Sequence, residues 1–307
     1  MSENLYPHLD ASALAVIDAS GIDRIRQVQC DRFVAHGAVL AVLEILDDFL
    51  QRPDSIRPPC LGLVGDAGSG KSSLLSEFLR RAGANTNSPR LHRVAYCVAD
   101  ALPTLPVLQA ALLGALGSPS AEYPRRNRYD GDELIRRAIA ELGTRIVIID
   151  EVQHILNLPR RERAAMWDWI KWVSTANRIS VVTAGIPGSE DMILQERQLQ
   201  TRFEVVHLPR WSVGPAFAQF LNAFERSLPL RLPSRLATTA MQEALLRESF
   251  AKQQVTGITH GVKQVIEAAA IRAIRTGEER ITAQTLAAGV ACSSGRRRSW
   301  PAESPCP

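Results

Sequence analysis

The eight residues Gly65-Asp66-Ala67-Gly68-Ser69-Gly70-Lys71-Ser72 match the pattern G-x-x-x-x-G-K-[ST] at every fixed position, and everything else in the chain is read around them. Glycines let the backbone curl so tightly that consecutive N–H groups aim at phosphate oxygens, and a helix starting there adds the positive end of its dipole. Such a loop needs a buried strand before it and a helix after it. Cys60-Leu61-Gly62-Leu63-Val64 and Ser73-Leu74-Leu75-Ser76-Glu77-Phe78-Leu79-Arg80 supply both. Lys71 is then placed to reach β and γ phosphates, and the Ser72 hydroxyl to ligate Mg²⁺. The candidate nucleotide cradle is Gly65, Asp66, Ala67, Gly68, Ser69, Gly70, Lys71, Ser72 and Ser73.

Alternation of apolar runs with helical patterns continues past this loop. Strands are expected at Leu91–Cys97, Arg145–Glu151, Ile179–Thr183 and Glu204–Leu208, separated by helices at Pro103–Leu116, Asp132–Leu142 and Arg161–Thr175. Five strands in this order predict an α/β fold, a doubly wound parallel sheet that binds its ligand at the carboxyl ends of the strands. Arg145-Ile146-Val147-Ile148-Ile149-Asp150-Glu151 is a buried strand that ends in two acids, so Asp150 and Glu151 should face the phosphate loop. Asp150 is the candidate holder of the Mg²⁺ hydration shell, and Glu151 the group that orients or deprotonates an attacking water. Thr183, taken as the last residue of its strand, is the candidate γ-phosphate sensor.

Composition sets outer limits. In 307 residues, 46% hydrophobic and 22% charged, a net charge of +4 permits a polyanion partner only through local patches. One such patch is Arg125, Arg126 and Arg128, interleaved with Tyr123 and Tyr129 and suited to a phosphate backbone; an ordinary solvated loop is the competing reading. Five scattered cysteines without a C-x-x-C pair point to thiols in a reducing compartment, and the lack of a signal peptide or long apolar run points to a cytoplasmic protein with no membrane partner. Trp167, Trp169 and Trp172 on one helix suit either a core or a partner surface. The expected organisation is an N-terminal arm over 1–36, a nucleotide domain over 37–211, a helical domain over 212–290 and a basic, proline-rich disordered tail over 291–307.

With these motifs in order, the chain resembles the AAA+ ATPases, in which an α/β nucleotide domain with a five-stranded parallel sheet precedes a small all-α lid. More narrowly, it resembles the TniB/TnsC transposition ATPases through Ile148-Ile149-Asp150-Glu151-Val152-Gln153-His154, Gln198-Leu199-Gln200-Thr201-Arg202-Phe203, Leu208-Pro209-Arg210-Trp211 and Leu228-Pro229-Leu230-Arg231-Leu232-Pro233-Ser234. That resemblance implies an ATPase using ATP and Mg²⁺ that assembles as a homo-oligomeric ring or filament on double-stranded DNA. It would work beside a transposase and a target-selection protein of the same element. It also implies that Arg202, or Arg197 on the same segment, reaches a neighbouring subunit's γ-phosphate as an arginine finger. Where many AAA+ lids carry a nucleotide-touching arginine, this chain offers His260 and Lys263, so slow hydrolysis is expected. The alternative is a P-loop switch or scaffold protein that assembles with protein partners.

Overall fold

The computed structural model describes residues 5–84, 93–118, 128–195, 197–253 and 255–287. Arg125, Arg126 and the 291–307 tail lie outside them, and Arg128 is described only as the first backbone position of a helix. In chain order the helices that matter here are α1 (Ala11–Leu14), α2 (Gly21–Gln29), α3 (Gly37–Gln51), α4 (Lys71–Ala84), α5 (Leu105–Ala115), α6 (Arg128–Leu142), α7 (Gln153–Leu156), α8 (Arg160–Asn177), α9 (Asp191–Gln195), α10 (Arg197–Gln200), α11 (Pro215–Arg226), α12 (Thr239–Gln253) and α13 (Thr259–Thr276). The strands are β1 (Cys60–Val64), β2 (Val94–Val98), β3 (Ile146–Asp150), β4 (Ser180–Gly185) and β5 (Phe203–His207). Chain contacts divide the protein into two compact units, one spanning Gly37–Pro209 and the other joining the residues up to His36 to those from Arg210 onward.

The first unit is the expected doubly wound layer. Its five strands are all parallel in the order β2-β3-β4-β1-β5, which puts the phosphate-loop strand β1 between β4 and the edge strand β5. Helical crossovers cover both faces, so β1, β3 and β4 are buried along their whole length and are mostly apolar. Side chains alternate between faces. Cys97, Val147, Ile149 and Val181 lie on one face in a single core with Leu108 and Leu112 of α5, Ile135 of α6 and Trp167 and Ile170 of α8. The opposite face carries Leu61, Leu63, Ile148 and Val182, each fully buried, as are Leu74, Leu75 and Phe78 of α4 and Leu43 and Leu46 of α3. Each such side chain contributes roughly 1.5–3 kcal/mol of apolar burial.

The tryptophans of α8 belong to the core. Trp167 and Trp169 are buried, Trp167 meets Phe203 edge to face at 6.4 Å, and the Trp169 indole donates to Asp132 Oδ1 at 2.8 Å. This helix therefore lends no support to a tryptophan docking face.

In the second unit, the N-terminal residues, expected to form an arm or short helices, fold as short helices packed into a helical body. Buried Val28 of α2 shares a core with Phe217, Phe220 and Phe224 of α11 and Val262, Val265 and Ile266 of α13. Arg24, almost fully buried, donates from Nε and Nη2 to the Pro229 carbonyl at 3.0 and 2.6 Å, and pairs with Glu279. Glu225, near the end of α11, accepts the backbone N–H groups of Ser234, Arg235 and Leu236 at 2.6, 2.9 and 2.8 Å. This carboxylate clamp, together with Leu228 and Leu230 in the core, explains the Leu228–Ser234 segment as a structural device. Trp211 stacks on Phe217 and Phe220 at 5.5 and 4.7 Å, and its indole donates to Thr259 Oγ1 at 3.0 Å. At the start of α13, His260 is held by Gln264, while Lys263 lies 3.2 Å from Asp31 and 3.7 Å from Glu267.

Candidate active site

β1 ends at Val64 and the chain must turn at once into α4. Gly65 can sit there because it has no Cβ: one built on it would lie 2.6 Å from Ser69 Oγ and 3.2 Å from Leu208 Cβ. Gly68 and Gly70 take the left-handed conformation, with φ of 78° and 103°, and the position a Gly70 Cβ would occupy is open space. The loop is thus a concave cradle whose far wall is the first turn of α4, where helix N–H groups lack intrahelical partners by geometry. A phosphate chain fits this donor set. The buried Lys71 ammonium folds back over the loop and donates to the Gly65 and Asp66 carbonyls at 2.6 and 3.0 Å. Burial pulls its pKa down, while the fields of Asp150, Glu151 and Asp66 push it up.

The parallel β3-β4-β1 order puts the end of β3 at the same edge of the sheet as the loop. Asp150 is the last residue of β3 and is 2% exposed. Its Oδ1 accepts the Glu151 backbone N–H at 2.8 Å and its Oδ2 accepts the Tyr96 hydroxyl at 2.9 Å. Glu151 leaves the strand with φ of 59°, a left-handed conformation that costs a non-glycine residue roughly 1–2 kcal/mol. The kink turns the chain out of the sheet, and Glu151 Oε2 then accepts the side-chain amide of Gln153. Among the described residues there is no cluster of three or more His, Cys, Asp and Glu side chains able to cage a metal. Mg²⁺ does not require one, because it keeps several waters and takes one or two protein oxygens plus substrate phosphates. Ser72, exposed on the first turn of α4, and Asp150 fit that demand.

Thr183 does not belong with these groups. β4 continues two residues beyond it to Gly185, and Thr183 pairs with Ile149 on one side and Gly62 on the other. It therefore shares the face of Ile149 and Val181, opposite to Asp150, and is 2% exposed. The γ-phosphate-sensing role expected from the sequence rested on ending the strand too early. Arg202 lies at the other pole of the sheet: its carbonyl accepts the N–H of Cys60, the first residue of β1, at 2.8 Å. A five-residue strand, about 16 Å long, separates it from the loop of its own chain. Its guanidinium donates to Thr175 Oγ1 at 2.5 Å, and Arg197 is exposed on α10. Tyr96 belongs to no sequence motif, and Gln153 stood in the Ile148–His154 motif without a role of its own.

Lys71→Ala removes both the clamp on the loop and the charge aimed at the phosphates. Nucleotide affinity should fall by about 100-fold, which a titration with a fluorescent ATP analogue would read directly; unchanged affinity would show that the loop is not the site.

A parallel 2-3-4-1-5 sheet with a glycine-rich lysine loop after β1 and an Asp-Glu pair ending β3 defines the nucleotide-binding fold of the AAA+ ATPases. The chain belongs to the family described as bacterial TniB protein, whose sequence pattern matches residues 24–213. No curated protein sequence matches it significantly. Among solved structures it is similar to the Aeropyrum pernix ORC1 protein in complex with DNA, at 15% identity over 88% of this chain and 69% of that one, TM-score 0.58. It is also similar to Drosophila ORC bound to DNA, at 16% identity over 90% of this chain and 66% of that one, TM-score 0.58. The Saccharomyces cerevisiae Hsp104-ADP complex is similar at 13% identity over 92% of this chain, TM-score 0.53, and there the chain spans 46% of the larger protein. At these identities the likeness is one of fold. No described helix is long and apolar enough to cross a membrane.

Proposed function

We propose that this chain is an ATP-hydrolysing regulator of DNA transposition. It binds double-stranded DNA, assembles on it with ATP bound as a homo-oligomeric ring or filament, and passes the target to a transposase with the help of a target-selection protein. The observation that carries the ATPase reading is that β1 and β3 run parallel on either side of β4, so the lysine loop that follows β1 and the Asp150-Glu151 pair that ends β3 lie at the same edge of the sheet. The DNA part is supported by membership of the TniB family and by the titles of two similar structures, which describe ORC proteins on DNA.

In this reading Lys71 exchanges the Gly65 and Asp66 carbonyls for the β and γ phosphates. Mg²⁺ supplies charge neutralisation between those phosphates when bound, with Ser72 and Asp150 as its protein partners. Glu151 accepts a proton from water in line with the γ-phosphate. Arg202 cannot reach the loop of its own chain, so any part it takes in hydrolysis is played in a neighbouring subunit, and turnover then requires assembly; Arg197 is its nearest substitute.

The deciding experiment is anisotropy of a labelled duplex titrated with protein in Mg²⁺ and a slowly hydrolysed ATP analogue. Binding should depend on the analogue, show little sequence preference and weaken linearly in log K with log salt, because phosphate contacts release counterions. Absence of duplex binding at about 50 mM salt would remove the DNA function and leave the nucleotide site standing.

A further inference from the structure

Among the described residues, Tyr96 is a side chain outside the nucleotide motifs that holds the Asp150 carboxylate. β2 and β3 run parallel with Tyr96 opposite Ile148 and Val98 opposite Asp150, so Tyr96 and Asp150 lie on the same face, one pleat apart. An aromatic side chain leaning forward along its strand spans that diagonal, and the phenol hydroxyl donates to Asp150 Oδ2 at 2.9 Å. The two strands stay joined beyond the pair, with the Ala99 N–H donating to the Asp150 carbonyl at 2.9 Å, so the backbones that carry both groups are tied together.

The remaining hydrogen bond to this carboxylate comes from Glu151 N–H on Oδ1. Each oxygen thus spends one lone pair on a fixed donor and keeps another that would accept from waters on a bound Mg²⁺. Because one donor comes from β2 and the other from the backbone just past the end of β3, the carboxylate plane cannot rotate without breaking one of them. We infer that Tyr96 is a positioning residue for Mg²⁺, fixing the Asp150 carboxylate so that nucleotide binding becomes metal-dependent. This rests on the nucleotide reading of the site. It adds a group drawn from β2 to a centre otherwise built from the loop and β3. Partners that orient a metal-binding group typically change metal affinity by about 10- to 100-fold when lost.

The test is Tyr96→Phe, which removes one oxygen and keeps the ring. Binding of a fluorescent ATP analogue is measured by anisotropy in EDTA and across a Mg²⁺ titration, a readout that does not require turnover. The half-saturating Mg²⁺ concentration should rise about tenfold, while affinity in EDTA stays within about twofold of the parent protein. In the Asp150→Asn background the same substitution should add nothing, because the oxygen it orients has lost its charge. An unchanged Mg²⁺ midpoint, or an equal loss of affinity with and without metal, overturns the inference while leaving the ATP site intact. If the parent protein binds no ATP analogue under any condition, the nucleotide reading fails first and the inference with it.

Discussion

Glu151→Gln should bind ATP as tightly as the parent protein and hydrolyse it about 1,000-fold more slowly, within the range of about 10²- to 10⁴-fold that a positioned general base contributes. The substitution is nearly isosteric, and the surroundings can hold it. The backbone N–H of residue 151 still donates to Asp150 Oδ1, and the new amide can turn its oxygen toward Gln153. Lys71 and the loop are untouched, so the phosphate grip survives. What disappears is the carboxylate that the kink at φ 59° turns out of the sheet beside Asp150, the proposed Mg²⁺ partner. The measurement is phosphate release under saturating ATP, with and without duplex DNA, paired with a binding titration. A protein that uses nucleotide only as a switch would show no turnover in the parent and none to lose in the variant. Equal turnover in the two would transfer the base role away from Glu151.

Much of this site was readable from sequence because it is local. A phosphate loop is eight consecutive residues with glycines at the positions where the backbone must turn left-handed, and β3 is an apolar run that ends in its two acids. Strand limits agree within one or two residues for β1, β3 and β5. The misreading of Thr183 has a physical cause: Ala184 and Gly185 look like the start of a turn, yet they carry β4 forward in register with Leu63 and Val64 of β1. A strand flanked on both sides can extend through a glycine that would end an edge strand. Tyr96 and the packing of residues 5–36 into the helical unit were invisible for a different reason. Their partners are distant along the chain, Asp150 being 54 residues from Tyr96 and Pro229 being 205 from Arg24, and no spacing rule encodes such meetings. The Leu228–Ser234 segment was recognisable as distinctive long before the Glu225 carboxylate showed what it is for.

Gly257→Ala should destabilise the helical unit by about 4 kcal/mol. Gly257 has φ of 77°, and a Cβ there would stand 2.2 Å from the Trp211 carbonyl oxygen and 3.0 Å from its nitrogen. Both obstacles are backbone, so no rotamer change relieves them. The strands of chain must separate, which sacrifices the 2.7 Å hydrogen bond from Trp211 N–H to the Gly257 carbonyl. They also carry Trp211 away from its stack on Phe217 and Phe220. The left-handed backbone costs an alanine about 1–2 kcal/mol, the lost hydrogen bond about 1 kcal/mol, and the forced repacking about 1–3 kcal/mol. Gly277 supplies the control. It ends α13 with φ of 74°, almost the same backbone strain, but its Cβ position has nothing within 4 Å. Gly277→Ala should therefore cost only the backbone term of about 1 kcal/mol. Urea unfolding followed by near-ultraviolet circular dichroism would separate the two: a clearly larger fall in midpoint for Gly257→Ala means that close approach to the Trp211 backbone, and not left-handed geometry alone, makes glycine necessary at 257. Equal falls would mean that the Trp211 and Gly257 segments do not hold this approach in solution.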